Sequence, residues 1–262
     1  MLTDKVVLIS GATGMAAATA RGAAQQGARV FLVDRSVENL EALVRSLTDD
    51  GADAAFLAGD LTAAETAARA VNVCVDRFGR LDALFNVVGG SGRRWGDGPL
   101  HECTDEGWDM TLSINLTTMF RMCRAALLAM LAQPVAPNGL RGTILNMGSV
   151  LASSPQATHF STHAYAAAKG AIEAMSRSMA AYYAPQKIRI NVIAPALVQT
   201  PMTDRAQNDP AIVELMKKKQ PLREDLIAPA DVASVALFLL GDASKMMTGA
   251  VVPVDAGWTV SG

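Results

Sequence analysis

Tyr165 and Lys169 are the pair whose residue types and spacing could perform chemistry in this chain, within the segment Tyr-Ala-Ala-Ala-Lys. Four positions are about one helical turn, so a helix here would place both side chains on one face. A free phenol has a pKa of ~10 and is a poor base at neutral pH, whereas a nearby ammonium group favours the phenolate. The pair therefore indicates proton transfer by Tyr165. The alternative is a pair of side chains on a helix surface.

Two further polar residues could join this pair. Ser149 follows the apolar run Thr143–Met147 and precedes Tyr165 by 16 residues. A hydroxyl at the carboxyl end of a strand could hydrogen-bond a substrate oxygen, although a serine there is also typical of a turn or cap. Asn115 is predicted at the start of a long helix, where asparagine is a good N-cap. A serine hydrolase is disfavoured, because no G-x-S-x-G motif surrounds Ser149.

The first apolar run, Val6–Ser10, leads directly into a glycine-containing turn and then into a predicted helix. Glycine allows backbone N–H groups to approach a pyrophosphate closely, and a helix N-terminus favours negative charge. The spacing is G-x-x-G, with Ala16 or Ala17 where a third glycine is often found. A tight strand-to-helix turn is the alternative, but its place in a β-α-β unit favours a nucleotide site. The residues predicted to contact the nucleotide here are Gly11, Thr13, Gly14 and Met15.

Two acidic residues end the next predicted strands. Asp34 ends the second strand, where a carboxylate can accept hydrogen bonds from the ribose hydroxyls of an adenosine. The same carboxylate would repel the additional phosphate of NADP, although Arg35 could pair with that phosphate. NAD is therefore favoured over NADP. Asp60, with Leu61 beside it, could reach the adenine amino group or could cap the helix that follows.

Short aliphatic runs alternate with longer helical patterns along the whole chain. Most of the runs are continuously apolar, which is typical of parallel strands covered on both faces. Repeated β-α-β-α units predict an α/β fold, a Rossmann-like doubly wound parallel sheet of about seven strands, in a single domain over residues 1–262. The predicted strands are Val6–Ser10, Val30–Val33, Ala54–Leu57, Leu84–Val88, Thr143–Met147, Ile188–Ala194 and Val251–Val254. The predicted helices lie near Gly14–Gln26, Val37–Leu47, Ala63–Phe78, Asn115–Leu131, Ala164–Tyr183 and Ala230–Leu240.

Two segments lack a regular pattern, Gly89–Pro99 and Gln199–Ala228. Each follows a predicted strand, and ligands of open α/β sheets bind beyond the carboxyl ends of strands. Both segments are therefore predicted to border a binding crevice. Within the first, Arg93 and Arg94 are interpreted as surface arginines; the alternative is that they bind a substrate carboxylate or phosphate.

The composition excludes several classes of function. The 262 residues include 23 Lys and Arg against 25 Asp and Glu, a net charge of -2, and 50% are hydrophobic. This balance gives no electrostatic case for binding nucleic acid or an anionic membrane, and no nearly apolar stretch approaches the ~20 residues of a membrane span. Three widely spaced cysteines, Cys74, Cys103 and Cys123, indicate reduced thiols and a cytoplasmic protein. His159 and His163 lack a third ligand, so no metal site is predicted.

These residues together resemble the short-chain dehydrogenase/reductase family, in its compact single-domain branch. Asn115, Ser149, Tyr165 and Lys169 match the family's catalytic tetrad in order and approximate spacing. The resemblance covers nearly the whole chain. The other matching blocks are Gly11 and Gly14 in the phosphate loop, Asn86-Val87-Val88-Gly89 for Asn-Asn-Ala-Gly, Ile188 to Ala196 for the block that ends Pro-Gly, and Thr248-Gly249 with Val254-Asp255-Ala256-Gly257 near the C-terminus.

The resemblance implies a role for each residue of the tetrad. Tyr165 would be the general acid/base, and Lys169 would lower its pKa and hold the nicotinamide ribose. Ser149 would polarise the carbonyl or stabilise the alkoxide, and Asn115 would anchor a water that links Lys169 to solvent. Val198 and Thr200 would hold the nicotinamide carboxamide. The other implied cofactor contacts are Asn86, Val87, Gly89 and Pro195.

The activity implied by the resemblance is hydride transfer between NAD(H) and a secondary alcohol or ketone, in a homotetramer. The predicted contact surfaces are the alanine-rich face of the Tyr165 helix and the Asn115–Leu131 helix, with Met119, Met122 and Met130. The alternatives are an NADP-dependent carbonyl or 3-oxoacyl reductase and a non-catalytic nucleotide-binding protein on the same fold. Two alanines, Ala16 and Ala196, replace family glycines, and the phosphate loop is one residue shorter than usual. Neither substitution removes a chemical group, so activity is expected.

Overall fold

The computed structural model describes residues 1–261, which are built around one seven-stranded sheet. The strands are β1 (Val6–Ser10), β2 (Arg29–Asp34), β3 (Ala54–Ala58), β4 (Ala83–Asn86), β5 (Gly142–Met147), β6 (Ile188–Pro195) and β7 (Val251–Val254). Every neighbouring pair is parallel, in the order β3-β2-β1-β4-β5-β6-β7. The predicted doubly wound parallel sheet is confirmed.

Nine α-helices accompany the sheet within residues 1–261. They are α1 (Gly14–Gln25), α2 (Val37–Asp49), α3 (Thr66–Phe78), α4 (Asp105–Leu112), α5 (Thr118–Ala132), α6 (His163–Tyr183), α7 (Asp204–Gln207), α8 (Pro210–Lys219) and α9 (Pro229–Leu240). Helices α1, α2 and α9 pack on one face of the sheet, and α3, α5 and α6 pack on the other.

Burial on both faces explains the continuous apolar strands. Successive side chains of a strand point to opposite faces. In β1, Val7 and Ile9 pack against α1 and α9, whereas Val6 and Leu8 pack against the helices of the opposite face. All four side chains are fully buried, so neither face of β1 leaves room for a polar residue.

The carboxyl edge of the sheet is where the candidate site must lie. β1 lies between β2 and β4, so the strand order reverses there, and ligands of open α/β sheets bind at such a point. β4, β5 and β6 follow side by side. The segments that leave their carboxyl ends therefore meet over the same edge.

The segment Gln199–Ala228 is more regular than the sequence indicated, because it contains α7 and α8. Pro210 is the first residue of α8, and the Asp209 carboxylate caps the helix by accepting a hydrogen bond of 3.0 Å from the backbone nitrogen of Ala211. Proline is well suited to the first position of a helix. The prolines and polar residues of this segment therefore mark helix starts as well as loops.

The long helix begins earlier than predicted, at Asp105, and runs as α4, a π-helical turn and α5 to Ala132. This helix of 28 residues is long and apolar enough to cross a membrane by length and composition alone. Its methionines Met119, Met122 and Met130 are buried against the sheet. It is therefore a core helix, and no membrane span is indicated. The three methionines are therefore not available for contact with another subunit, whereas Phe120, Leu128 and Leu131 of the same helix are exposed.

Candidate active site

Asn115 lies inside a helix and not at an N-cap, in the π-helical turn Ser113–Thr117 that joins α4 to α5. Its Nδ2 atom donates hydrogen bonds of 2.9 Å to the carbonyl oxygens of Thr111 and Gly90, and its Oδ1 atom accepts one of 3.1 Å from the backbone nitrogen of Gly90. The residue is only 1% exposed. Asn115 therefore fixes the loop after β4 to this helix. The π turn that places it there is rare in proteins and is frequent at functional sites.

Tyr165 and Lys169 occupy the start of α6, and Ser149 lies just beyond β5. The Nζ atom of Lys169 donates a hydrogen bond of 2.9 Å to the carbonyl oxygen of Met147 and lies 5.4 Å from the centre of the Tyr165 ring. The Ser149 hydroxyl accepts a hydrogen bond of 3.2 Å from the backbone nitrogen of Leu151 and also interacts with the Tyr165 phenol. Three side chains of the predicted tetrad thus lie together at the carboxyl end of β5.

Gly89 connects Asn115 to this group. A Cβ atom at Gly89 would lie 2.5 Å from Oδ1 of Asn115 and 3.5 Å from Nζ of Lys169. The backbone of Gly89 therefore lies directly beside both side chains. A residue with a side chain at this position would displace at least one of them.

Burial governs the acid–base properties of the pair on α6. It lowers the pKa of Lys169 to about 7. It also raises the pKa of Tyr165 above its ordinary value, against a smaller lowering by the hydrogen bond with Ser149. Both shifts favour the neutral forms, because a charged group loses hydration when it is buried. The lowering of the Tyr165 pKa by Lys169 that the resemblance implied is thus opposed by the burial of both groups.

Asp97 is a residue of this site that sequence reasoning missed. It lies in the segment Gly89–Pro99 and is only 4% exposed. Its two carboxylate oxygens accept hydrogen bonds of 3.0 Å from the backbone nitrogens of Ala164 and Tyr165, in the first turn of α6. A carboxylate at this position satisfies N–H groups that have no partner within the helix. The sequence feature that could have identified Asp97 is its acidic side chain in a glycine-rich loop after a strand.

The turn after β1 could hold a phosphate group. Gly11 (φ +104°) and Gly14 (φ +53°) adopt left-handed backbone conformations that favour glycine. Thr13 is the N-cap of α1, but its side chain makes no capping hydrogen bond. The first-turn N–H groups, that of Met15 among them, are thus left without a side-chain cap, as a bound diphosphate requires. A Cβ atom at Gly14 would lie 2.9 Å from Cγ2 of Thr200, so the segment after β6 closes against the same turn.

The two alanines that replace family glycines are accommodated outside the crevice. Ala16 is only 1% exposed and belongs to the core beneath the turn. Its methyl group lies beside Gly11, where an added Cβ atom would be 3.1 Å away. Ala196 donates a backbone hydrogen bond of 3.2 Å to Val254 and packs at the margin of the core. The backbone path of both segments is therefore compatible with a methyl group at these positions.

Asp34 ends β2 and links two turns that a nucleotide would touch. Its Oδ2 atom accepts a hydrogen bond of 3.1 Å from the backbone nitrogen of Ala12, and its Oδ1 atom accepts one of 2.9 Å from that of Ser36. Each carboxylate oxygen has further acceptor capacity for a ribose hydroxyl. Arg35, the next residue, is exposed.

Asp60 does not cap α3, which begins at Thr66. Its carboxylate accepts hydrogen bonds from the backbone nitrogen of Thr62 at 2.8 Å and from the Thr62 hydroxyl at 2.7 Å. These two hydrogen bonds lower the pKa of Asp60, with a smaller contribution from the charge of Arg35. Asp60 therefore closes a local turn at the end of β3, and Leu61 beside it is buried in the core.

The backbone after β4 borders the crevice, whereas the side chain of Asn86 faces the core. Nδ2 of Asn86 donates a hydrogen bond of 2.8 Å to Oδ1 of Asn146 in the neighbouring strand. The Ser10 hydroxyl at the end of β1 accepts hydrogen bonds from the backbone nitrogens of Val87 at 2.8 Å and Val88 at 3.1 Å. These contacts hold the segment that continues to Gly89.

The segment after β6 contains further predicted cofactor contacts. Pro195 is the last residue of β6, and Val198 is buried. Thr200 begins a short 3-10 helix, and its backbone nitrogen donates a hydrogen bond of 3.0 Å to the Thr203 hydroxyl. These residues thus stand beside the turn after β1, on the crevice side of the sheet.

Comparison with known proteins identifies the family of this chain. A family model described as Enoyl-(Acyl carrier protein) reductase matches residues 10–259. The chain is 35% identical over 266 residues to the A-factor type gamma-butyrolactone 1'-reductase (1S-forming) of Streptomyces virginiae, which covers 99% of this chain and 97% of that protein. It is 33% identical over 260 residues to a 2,5-dichloro-2,5-cyclohexadiene-1,4-diol dehydrogenase of Sphingobium indicum, with 99% and 98% covered. The crystal structure of levodione reductase matches with a TM-score of 0.90 at 30% identity, over 100% of both chains.

With this fold, this site and these relatives, the chain belongs to the short-chain dehydrogenase/reductase family. It is an oxidoreductase of that family, whose members use a nicotinamide dinucleotide, NAD or NADP. Its relatives act on small alcohols and ketones.

Proposed function

We propose that this protein is an NAD-dependent dehydrogenase/reductase that interconverts a secondary alcohol and its ketone, with Tyr165 as the general acid/base. The observation that carries this proposal is the placement of Tyr165, Ser149 and Lys169 at the carboxyl end of β5, with Lys169 5.4 Å from the tyrosine ring. A phosphate-binding turn after β1 lies at the same edge of the sheet. The chain acts as one dinucleotide-binding and catalytic domain over residues 1–262.

Each side chain has a distinct task in this proposal. During alcohol oxidation the phenolate oxygen of Tyr165 takes the proton of the substrate hydroxyl and becomes the phenol. The Ser149 hydroxyl donates a hydrogen bond to the substrate oxygen. A nicotinamide dinucleotide, when bound, would provide the hydride chemistry. Lys169, when protonated, favours the phenolate and holds the nicotinamide ribose. Asn115 holds the loop at Gly90 and a water through which Lys169 exchanges protons with solvent.

The proposed preference for NAD rests on Asp34. A carboxylate at the end of β2 accepts hydrogen bonds from the adenosine ribose and repels a 2'-phosphate. Arg35 is the one neighbouring cation in the sequence that could offset this repulsion. The other proposed cofactor contacts are Gly11, Thr13, Gly14, Met15, Asp60, Leu61, Asn86, Val87, Gly89, Pro195, Val198 and Thr200.

The test of this function is a screen of secondary alcohols and ketones with NAD and NADP in parallel, read as absorbance of the reduced nicotinamide. On the best substrate, Tyr165→Phe is expected to lower kcat by about 100-fold or more, which is the usual contribution of general acid–base catalysis. Tyr182→Phe is the matched control, because Tyr182 lies on the same helix and is 68% exposed. Nearly intact turnover by Tyr165→Phe would show that the acid/base is assigned wrongly.

We also propose that the protein is a cytoplasmic homotetramer. Apolar side chains are exposed along α5, where Phe120, Leu128 and Leu131 could be covered by a second subunit. Light scattering after size-exclusion chromatography should give four times the 27.5 kDa mass of the chain. A monomer would contradict this proposal and would leave the proposed chemistry unaffected.

A further inference from the structure

Three segments that leave the carboxyl ends of β4, β5 and β6 converge on one carbonyl oxygen, that of His159. The Nη2 atom of Arg93, in the segment after β4, donates a hydrogen bond of 2.7 Å to it. The Nη2 atom of Arg205, in α7, approaches the same oxygen to 3.5 Å. Two guanidinium groups from different segments therefore share a single neutral acceptor.

This convergence is held in place by packing. Phe160, next to His159, stacks edge-on against Trp258 with the ring centres 5.9 Å apart. Ala206, next to Arg205, is buried in the same small core. The backbone positions that carry both contacts are thus anchored, while the guanidinium groups themselves are exposed.

The two positive charges are incompletely neutralised. Arg93 forms no ion pair with any carboxylate among residues 1–261. Both oxygens of Asp97 accept backbone hydrogen bonds from α6. Arg205 has one long ion-pair contact, 4.0 Å from its Nη1 atom to Oδ2 of Asp209. Partial loss of hydration lowers the pKa of Arg93, and the charge of Arg205 lowers it further, against a smaller opposing effect of Asp97.

The segment that carries Arg93 also contacts the helix of the proposed acid/base, because Asp97 accepts a hydrogen bond of 3.0 Å from the backbone nitrogen of Tyr165. His159 lies in the segment that starts at Ser149 and ends at Tyr165, the two residues proposed to touch the substrate oxygen. The segments after β4 and β6 also touch each other, because a Cβ atom at Gly90 would lie 2.8 Å from Sδ of Met202. The segments that carry Arg93 and Arg205 therefore lie against each other, and the first of them lies against the start of α6.

We propose that Arg93 and Arg205 bind an oxyanion on the substrate, of which a carboxylate is the simplest case, at the end remote from the carbinol carbon. This inference rests on the proposed function, because it names the substrate class of the same site. Guanidinium groups bind carboxylates through charge-assisted and paired hydrogen bonds, which are stronger than the bond to a neutral carbonyl. An anion between them would also relieve the repulsion between the two cations.

The test compares two alcohols of the same shape, 4-hydroxycyclohexanecarboxylate and 4-hydroxycyclohexanecarboxamide. For the wild-type protein, kcat/KM is expected to be about 10- to 100-fold higher for the carboxylate, as hydrogen bonds to charged groups predict. Arg93→Gln and Arg205→Gln should each reduce this preference by about tenfold or more, by raising KM for the carboxylate. The kcat/KM for the carboxamide should stay within about twofold of the wild-type value. Arg94→Gln is the matched control, because Arg94 is in the same segment but stacks on Trp95, 3.8 Å from the ring centre.

A binding measurement keeps this inference separate from the proposed function. Titration calorimetry with the non-reacting pair cyclohexanecarboxylate and cyclohexanecarboxamide, on protein saturated with NAD, reads the anion preference without turnover. If the carboxylate binds better and the preference disappears in Arg93→Gln, the inference stands even when neither alcohol is oxidised, and only the proposed reaction fails. If the two compounds bind equally, or if Arg93→Gln and Arg94→Gln weaken both to the same extent, the inference is wrong.

Discussion

The Oδ2 atom of Asp97 accepts a hydrogen bond of 3.0 Å from the backbone nitrogen of Tyr165. The N-cap residue of α6, Thr162, makes no capping hydrogen bond with its own side chain. A carboxylate from a segment more than sixty residues earlier in the chain therefore caps the helix that carries the proposed acid/base. Through this bond the position of Tyr165 depends on the glycine-rich segment that also borders the substrate.

Asp97→Ala is expected to lower the free energy of unfolding by about 2 kcal/mol, because it leaves two N–H groups of α6 without an acceptor in a buried place. Urea denaturation measures the change. Asp97→Asn retains one acceptor oxygen and should lose about half as much. Asp105→Ala, an exposed acidic residue in the first turn of α4, is the control. An equal loss in the control would show that Asp97 has no special contribution.

Gly89→Ala is expected to lower the free energy of unfolding by about 1–3 kcal/mol, the usual cost of overpacking. The added methyl group would lie 2.5 Å from Oδ1 of Asn115 and 3.5 Å from Nζ of Lys169. Because the Asn115 side chain must move, kcat should also fall. Gly98→Ala is the control in the same segment, since a Cβ atom there would meet nothing within 4 Å. Equal stability and activity of the two variants would contradict the packing around Gly89.

Asp34→Asn is expected to shift the ratio of the dissociation constants for NADP and NAD by about tenfold in favour of NADP. The amide keeps an acceptor oxygen for the backbone nitrogen of Ala12, 3.1 Å away, but removes the negative charge. Fluorescence titration with the two reduced dinucleotides measures both constants. Glu38→Gln removes a charge from the first turn of α2 and serves as the control. An unchanged ratio in Asp34→Asn would mean that the charge does not select the cofactor.

Lys169→Met is expected to change the pH dependence of stability in the protein without cofactor. The pKa of Lys169 is about 7 in the folded chain against an ordinary value of 10.5, so between these pH values the unfolded chain binds a proton that the folded chain does not. The free energy of unfolding of the wild type should therefore rise with pH across this window, by up to a few kcal/mol.

The methionine variant lacks this contribution, so its stability relative to wild type should be highest near pH 6.5 and should decline towards pH 9.5. The hydrogen bond from Lys169 to the carbonyl oxygen of Met147 is absent from the variant at both pH values. The raised pKa of Tyr165 acts with the opposite sign and only above its ordinary value of 10, outside this window. Urea denaturation at the two pH values is the measurement, and a constant difference between variant and wild type would contradict the shifted pKa.

The sheet and the pair on α6 were predictable because their signals are local. Continuously apolar runs such as β1 indicate strands buried on both faces, and the order of strands and helices then limits the topology. Likewise, the spacing of Tyr165 and Lys169 is sufficient to place them on one face of a helix. The carboxyl-end position of Ser149 follows from the strand before it.

Features that depend on tertiary contacts were not predictable in this way. The π turn around Asn115 has no periodic signal, so the helix was expected to start at that residue. Asp97 acts on backbone atoms distant in sequence, and nothing in its own segment identifies the partner. The residue type alone did not show whether Met119 is buried or exposed, because methionine occurs in both cores and interfaces. In each case the missing information was which surface of the element meets another element.

The π turn at Ser113–Thr117 also sets the rotational alignment of two packing surfaces. Each residue added to an α-helix rotates the remainder of that helix by about 100°. Upstream of the turn, Gly107 lies so close to the backbone of Gly96 that a Cβ atom would be 2.4 Å away, whereas downstream Met122 faces the sheet. Removing one residue from the turn would restore a regular helix but would misalign these two surfaces. The extra residue therefore lets a single helix support the Asp97 segment at one end and the hydrophobic core at the other.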